Sequence, residues 1–149
     1  MSKDFDPNYK QIIVNFRVGQ KVVVFNHQNN VLFLRRSART ERAGGWDFPG
    51  GGLENEEPDE GIRREAREEA SIELGSIKPV GFITHDREEP NARTLIIGYV
   101  ALWLSGEVQL SWEHDEYKWL SVEQALQVDL PQGHRKFLKL AIAELNSLP

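Results

Sequence analysis

Pro49-Gly50-Gly51-Gly52-Leu53-Glu54-Asn55-Glu56-Glu57-Pro58-Asp59-Glu60-Gly61-Ile62-Arg63-Arg64-Glu65-Ala66-Arg67-Glu68-Glu69-Ala70-Ser71-Ile72 changes character halfway along, from a glycine-rich loop to an acidic helix. Pro58 suits a first helical position, where its missing N–H would be unpaired anyway. Asp59 and Glu60 then complement the positive end of the helix dipole, and the spacing predicts a helix to about Ala70. Within it Glu65, Glu68 and Glu69 stand at i, i+3 and i+4, which at ~100° per residue puts three carboxylates on one face. Like charges at these spacings oppose the helix by roughly a few tenths of a kcal/mol per pair. A hard divalent cation, which prefers oxygen ligands, reverses the sign of that interaction. The competing reading is a solvated face laced by Glu60–Arg64 and Arg64–Glu68 ion pairs.

Outward from this segment the pattern is mixed. Residues 11–17 and 21–25 are short and β-branched, which predicts two strands. A polar turn at 26–30 leads to a returning strand, Val31 to Arg35. Trp46-Asp47-Phe48 is a short extended piece between glycine breakers. Downstream, strands are predicted at 78–86, 93–104 and Tyr117 to Leu120. Ser121 and Gln124 form a capping box for a helix from Val122 to Gln127. An apolar stripe over 133–146 (Phe137, Leu138, Ala141, Ile142, Leu145) predicts a final helix. Strands before, between and after helices, without regular alternation, point to an α+β fold with a mixed β-sheet between helices.

The chain has 149 residues, 40% hydrophobic and 28% charged, which suits one domain with its own core. It has no cysteine, which excludes a disulfide scaffold, a thiolate metal site and a cysteine nucleophile. No apolar run reaches the ~20 residues of a membrane span, and Met1 to Lys10 lacks the apolar stretch of a secretory signal. A cytoplasmic protein is the expectation, with residues 1–10 as a candidate flexible arm. The formal charge of −5 argues against a stable nucleic-acid complex. The basic group Arg35, Arg36, Arg39 and Arg42 still suits a small polyphosphate.

Gly50, five residues, Glu56, seven residues, then Arg64-Glu65-Ala66-Arg67-Glu68-Glu69 resembles the box of the Nudix hydrolase family, G-x5-E-x7-R-E-U-x-E-E-x-G-U with U aliphatic. Leu32 to Arg36, Gly45 to Pro49 and Tyr117 to Ser121 resemble the family's flanking segments. Three features depart from the pattern: Ser71 stands at the second glycine, Ala66 is small for the aliphatic position, and the loop between Pro49 and Glu56 is one residue shorter than usual when the prolines are aligned.

The resemblance implies a Nudix-like α/β/α sandwich and a Mg2+-dependent (or Mn2+-dependent) hydrolase. Its substrate would be the diphosphate linkage of a nucleoside triphosphate, an ADP-ribose-like compound, a nucleotide sugar or a dinucleoside polyphosphate. Glu65, Glu68 and Glu69 would hold metal, with the Gly50 carbonyl as a further ligand. Arg64 would orient Glu56 and the catalytic glutamates, and Glu56 would support the loop. Either Glu65 or an acid outside the box would take the water's proton. Glu113 or Glu116 is that outside acid or a further ligand, against a reading of both as surface acids.

Arg35, Arg36 and Arg39 are candidate phosphate contacts, and Trp46 is a candidate base-stacking residue or a core residue. His85 and His134 lack ligand spacing and are expected to be exposed or hydrogen-bonded. Trp103 is expected in the core. Two rivals share these features: an inactive nucleotide-binding or sensory module of the same fold, and a protein-interaction domain with a solvated acidic helix. The family resemblance also makes a homodimer a candidate assembly.

Overall fold

The computed structural model describes residues 4–149, and residues 1–3 of the expected arm lie outside them. Strand β1 (Asn15–Phe25) is a single strand where the sequence predicts two. Gly19 and Gln20 do not break it. Gly19 pairs with Gly52, and Gln20 is buried with its amide donating to the Tyr99 hydroxyl at 2.9 Å and the Pro58 carbonyl at 2.8 Å. Residues 11–14, predicted as strand, carry no strand structure, and Ile12 and Ile13 are exposed.

The chain continues through β2 (Val31–Arg36), β3 (Trp46–Asp47), β4 (Gly50–Gly52) and α1 (Pro58–Ala70). Then come β5 (Glu73–Asp86), β6 (Ala92–Ser105), β7 (His114–Leu120), α2 (Val122–Ala125) and α3 (Gln132–Glu144), with a 3-10 turn at Leu145–Ser147. Strand β5 starts before the predicted residue 78, because register shifts between Glu73 and Ile77 carry Gly75 and Ser76 within the pairing. Strand β7 starts at His114 rather than Tyr117, and α2 is shorter than predicted but keeps the Ser121–Gln124 capping box.

Among the described residues seven strands form one mixed sheet, in the order β3-β2-β1-β6-β5, with β4 on β1 and β7 on β2. The β1–β6 pair is parallel and the other pairings are antiparallel. Alternate residues of β1 serve opposite faces, as a period of two demands. Val22 and Val24 pack with Ile62, Ala66 and Ala70 of α1, whereas Val23 and Phe25 pack with Phe137, Leu138 and Ala141 of α3. The result is an α/β/α sandwich with helix α1 held tightly to the sheet. Ala66 is fully buried there, so the small residue in the box is a packing choice. No helix among the described residues is long and apolar enough to cross a membrane.

Candidate active site

Helix α1 ends as a glycine-terminated helix would, with Ser71 in the glycine's place. Ser71 adopts the left-handed conformation (φ 60°, ψ 28°). Its N–H donates to the Arg67 carbonyl, and the Ile72 N–H reaches toward the Ala66 carbonyl at 3.5 Å, the pattern that closes many helices. The departure at Ser71 therefore leaves the helix end intact. The apolar stripe Ile62, Ala66, Ala70 faces the sheet, so Glu65 and Glu69 lie at its margin and Glu68 points outward.

Arg64 gathers the box acids. Its Nε donates to both Glu56 oxygens (3.1 and 3.0 Å) and its Nη2 to Glu56 Oε1 (2.6 Å). Its Nη1 donates to Glu65 Oε1 (3.0 Å) and Glu68 Oε2 (3.1 Å), and Nη2 also reaches the Gly52 carbonyl at 3.2 Å. Hydrogen bonding to Glu56 is the main reason the Arg64 proton is held well above the usual guanidinium range. The same bonds hold the Glu56 carboxyl below the usual carboxylate range. The planar fork of an arginine permits this division among several acceptors.

Glu69 sits deepest, 2% exposed, and Gly50 donates its N–H to Glu69 Oε2 at 3.1 Å. Gly50 thus meets the acids through its N–H. A side chain is excluded at Gly50: its φ is +153° and a Cβ would lie 1.9 Å from the Gln20 carbonyl. At Gly51 a Cβ would lie within 2.8 Å of the Glu65 carboxyl group, so that glycine lets Glu65 approach the loop. Burial pushes the Glu69 carboxyl up to about 8, against the pull of Lys21 and the Gly50 N–H, with Glu65 and Glu113 adding to the rise. Glu65 is also raised, by burial first, against the pull of Arg64 and with Glu68 and Glu113 adding.

Glu65 and Glu69, whose charge burial opposes, stand beside the exposed Glu68 and form with it an oxygen donor set suited to a hard divalent cation. As placed, no three acidic or histidine side chains among the described residues converge on one point. Arg64 holds Glu65 and Glu68, and the Gly50 N–H holds Glu69, so rotation of these side chains would precede a shared ligation.

Of the two later acids, Glu113 borders Glu65 and Glu69, whereas Glu116 is ion-paired to Arg35 at 2.8 Å. Arg35 also donates to Asp115 at 2.7 Å, so it serves the β2–β7 edge. Arg36 turns to Asp47 (3.0 Å) and the Glu41 carbonyl. Arg39 is exposed on the turn after β2. Trp46 packs against the α3-side core, with the Lys118 ammonium 5.1 Å from its ring centre. Trp103 is half-buried at the edge of the α1-side core, and its indole N–H donates to the Gly106 carbonyl.

Local patterns did not reveal a second cluster. Asp47 is 1% exposed and receives Lys21 Nζ (3.0 Å), Arg36 Nη1 (3.0 Å), His134 Nε2 (2.8 Å) and the Phe48 N–H (2.7 Å). Burial opposes its charge, but Lys21 and His134 outweigh that and hold its carboxyl below the usual range. The available signal was a lone lysine before Val22-Val23-Val24 and an acid between Trp46 and Phe48, since charges among core residues must be paired. His114 is buried with no partner among the described residues for either ring nitrogen, and burial lowers its pKa to about 4.

The chain is similar to several known proteins. A CTP pyrophosphohydrolase from Escherichia coli is 30% identical over 125 residues, covering 80% of this chain and 87% of that protein. An ADPR responsive transcriptional repressor from Acinetobacter baylyi is 28% identical over 125 residues, covering 80% of this chain and 49% of the repressor. An 8-oxo-dGTP diphosphatase from Proteus vulgaris is 35% identical over 65 residues, covering 43% of this chain and 58% of that enzyme. The matched region thus spans about half the length of the last two relatives. Among solved structures, the MutT protein of Methanosarcina mazei superposes with a TM-score of 0.73 at 29% identity, covering 91% of this chain and 99% of that one. The sequence profile of the NUDIX domain matches residues 15–141, and the chain belongs to that family.

Proposed function

We propose that the protein is a divalent-cation-dependent hydrolase that cleaves the diphosphate linkage of a nucleotide. The observation that carries this reading is the gathering of Glu56, Glu65 and Glu68 by Arg64 beside the buried Glu69. Glu65, Glu68 and Glu69, with Glu113 and the Gly50 carbonyl, would hold Mg2+ or Mn2+. A cation bound there neutralises the dense charge of the diphosphate and makes the attacking water more acidic. Glu65, whose carboxyl pKa burial raises, or the neighbouring Glu113 would take the water's proton. Glu116 is the weaker candidate because Arg35 already engages it. Arg64 acts by orientation, holding Glu56 under the loop and Glu65 and Glu68 along one face.

The similarity to the Escherichia coli CTP pyrophosphohydrolase supports a nucleoside triphosphate as the first substrate to test. The test is a panel of nucleoside triphosphates, nucleotide sugars, ADP-ribose and dinucleoside polyphosphates with Mg2+, products being identified by mass spectrometry. Cleavage within the diphosphate linkage, lost in Glu68→Gln, is the expected result. Likeness to the Acinetobacter repressor supports a second reading, a sensory module, which predicts nucleotide binding without turnover in the same panel.

A further inference from the structure

The Gly50 loop is fastened to two successive residues of β1. Lys21 pairs with Gly50 in the β1–β4 ladder, and the Val22 N–H donates to the Pro49 carbonyl at 2.9 Å. The Lys21 ammonium then reaches along the loop to Asp47 Oδ2 (3.0 Å) and the Phe48 carbonyl (3.3 Å). At the far end of the same loop the Gly50 N–H holds Glu69. Lys21, Asp47, Phe48, Gly50 and Glu69 therefore form one continuous mechanical path. Asp47 braces it from two further sides, through Arg36 of β2 and His134 of α3, whose ring stacks on Phe48 with centroids 5.9 Å apart.

We propose that Lys21 and Asp47 are positioning residues, which set the Gly50 loop so that its N–H fixes Glu69 in the acidic cluster. The proposal rests on the hydrolase reading for its effect on rate, but not for its effect on Gly50. A half-buried ammonium on a core strand is an expensive device if it serves packing alone, because an apolar side chain of the same length would fill the space. Its two acceptors, Asp47 at the end of β3 and the Phe48 carbonyl next to it, lead directly into Gly50, so its removal releases the segment that carries Gly50 while both cores keep their apolar contacts.

Three variants of the full chain test this: Lys21→Met, Lys21→Arg and Asp47→Asn. Hydrogen exchange at the Gly50 amide is followed by NMR, with the Val100 amide in the central sheet as control. In Lys21→Met, Gly50 exchange is expected to accelerate about tenfold or more with Val100 unchanged, since exchange reports local opening. With a hydrolysed nucleotide, kcat is expected to fall about 10- to 100-fold, as for residues that orient ligands, with KM within about threefold. Lys21→Arg, which keeps the charge, should recover most of both effects. Unchanged Gly50 exchange in folded Lys21→Met would overturn the proposal, and so would equal acceleration at Val100. If Lys21→Met does not fold, Asp47→Asn takes its place in the exchange measurement with the same two outcomes. If wild type hydrolyses nothing, the hydrolase reading fails, and exchange at Gly50 still decides the role of Lys21.

Discussion

Arg64 donates to both oxygens of Glu56 through its Nε, and through Nη1 it reaches Glu65 and Glu68 on its own helix. One guanidinium thus joins the loop before α1 to two acids of the helix face. The i,i+4 pair with Glu68 agrees with the solvated-face reading taken alone, but the bidentate grip on Glu56 across eight residues does not. A lysine offers a point charge and cannot hold two oxygens in a plane. Arg64→Lys is therefore expected to lower kcat about 10- to 100-fold, as loss of an orienting partner does, while circular dichroism stays native. Equal kcat in Arg64→Lys would remove Arg64 from the account.

The left-handed Ser71 carries strain that a glycine would not. That conformation opposes an L side chain by roughly 1–2 kcal/mol, partly offset because glycine loses more freedom on folding. Ser71→Gly also loses an exposed hydrogen bond from the Ser71 hydroxyl to the Gln109 carbonyl. The net expectation is a gain of at most about 1 kcal/mol, or ~2–4 °C in Tm for a chain of this size, with kcat unchanged. Thermal unfolding followed by circular dichroism measures it, and a lower Tm contradicts the strain argument.

Glu69 titrates in the folded protein at about 8, above the 4.5 of an ordinary glutamate. Between these values the folded state binds a proton that the unfolded chain has released, so stability falls as pH rises through that window. Glu69→Gln should flatten this slope and raise Tm at pH 8. A divalent cation displaces the proton and needs the charged form, so its stabilisation is larger where the proton is already leaving. The Tm increase on adding Mg2+ is expected to be greater at pH 8 than at pH 6. An equal increase at both would separate the ion from Glu69.

Asp47 behaves oppositely. Its folded pKa lies below the ordinary 3.8, so its contribution is complete above that value and is lost as pH falls below it. Removing one member of a buried charged group leaves the others unpaired, typically at about 3–5 kcal/mol. Asp47→Ala is expected to lose an amount of that order at pH 7 in urea unfolding. Its loss relative to wild type should shrink as pH falls below about 4, where wild type forfeits the same interaction. A difference that stays constant into acid would show that the carboxylate charge is not the source.

Periodic spacing made the acidic helix and its limits readable, because Pro58, the Glu65–Glu69 face and the stripe Ile62, Ala66, Ala70 are all local patterns. The α/β/α layering followed from the order of strands and helices. Gln20 was not readable in the same way. A buried polar residue satisfied by Tyr99 and Pro58, far along the chain, looks from sequence like a break between strands. Lys21, Asp47 and His134 were hidden for the same reason, since their pairing joins β1, β3 and α3. The ion pairs of Arg35 with Asp115 and Glu116 likewise become visible only when β7 is seen alongside β2. The two later acids could be distinguished only through the same pairing.

The most direct test of the central idea is a Mn2+ titration followed by electron paramagnetic resonance, in wild type and in the double substitution Glu68→Gln, Glu69→Gln. The account predicts a saturable site in wild type that weakens about tenfold or more in the double variant, as loss of hard oxygen ligands requires. Equal Mn2+ binding by the two proteins, or none by wild type, would contradict it.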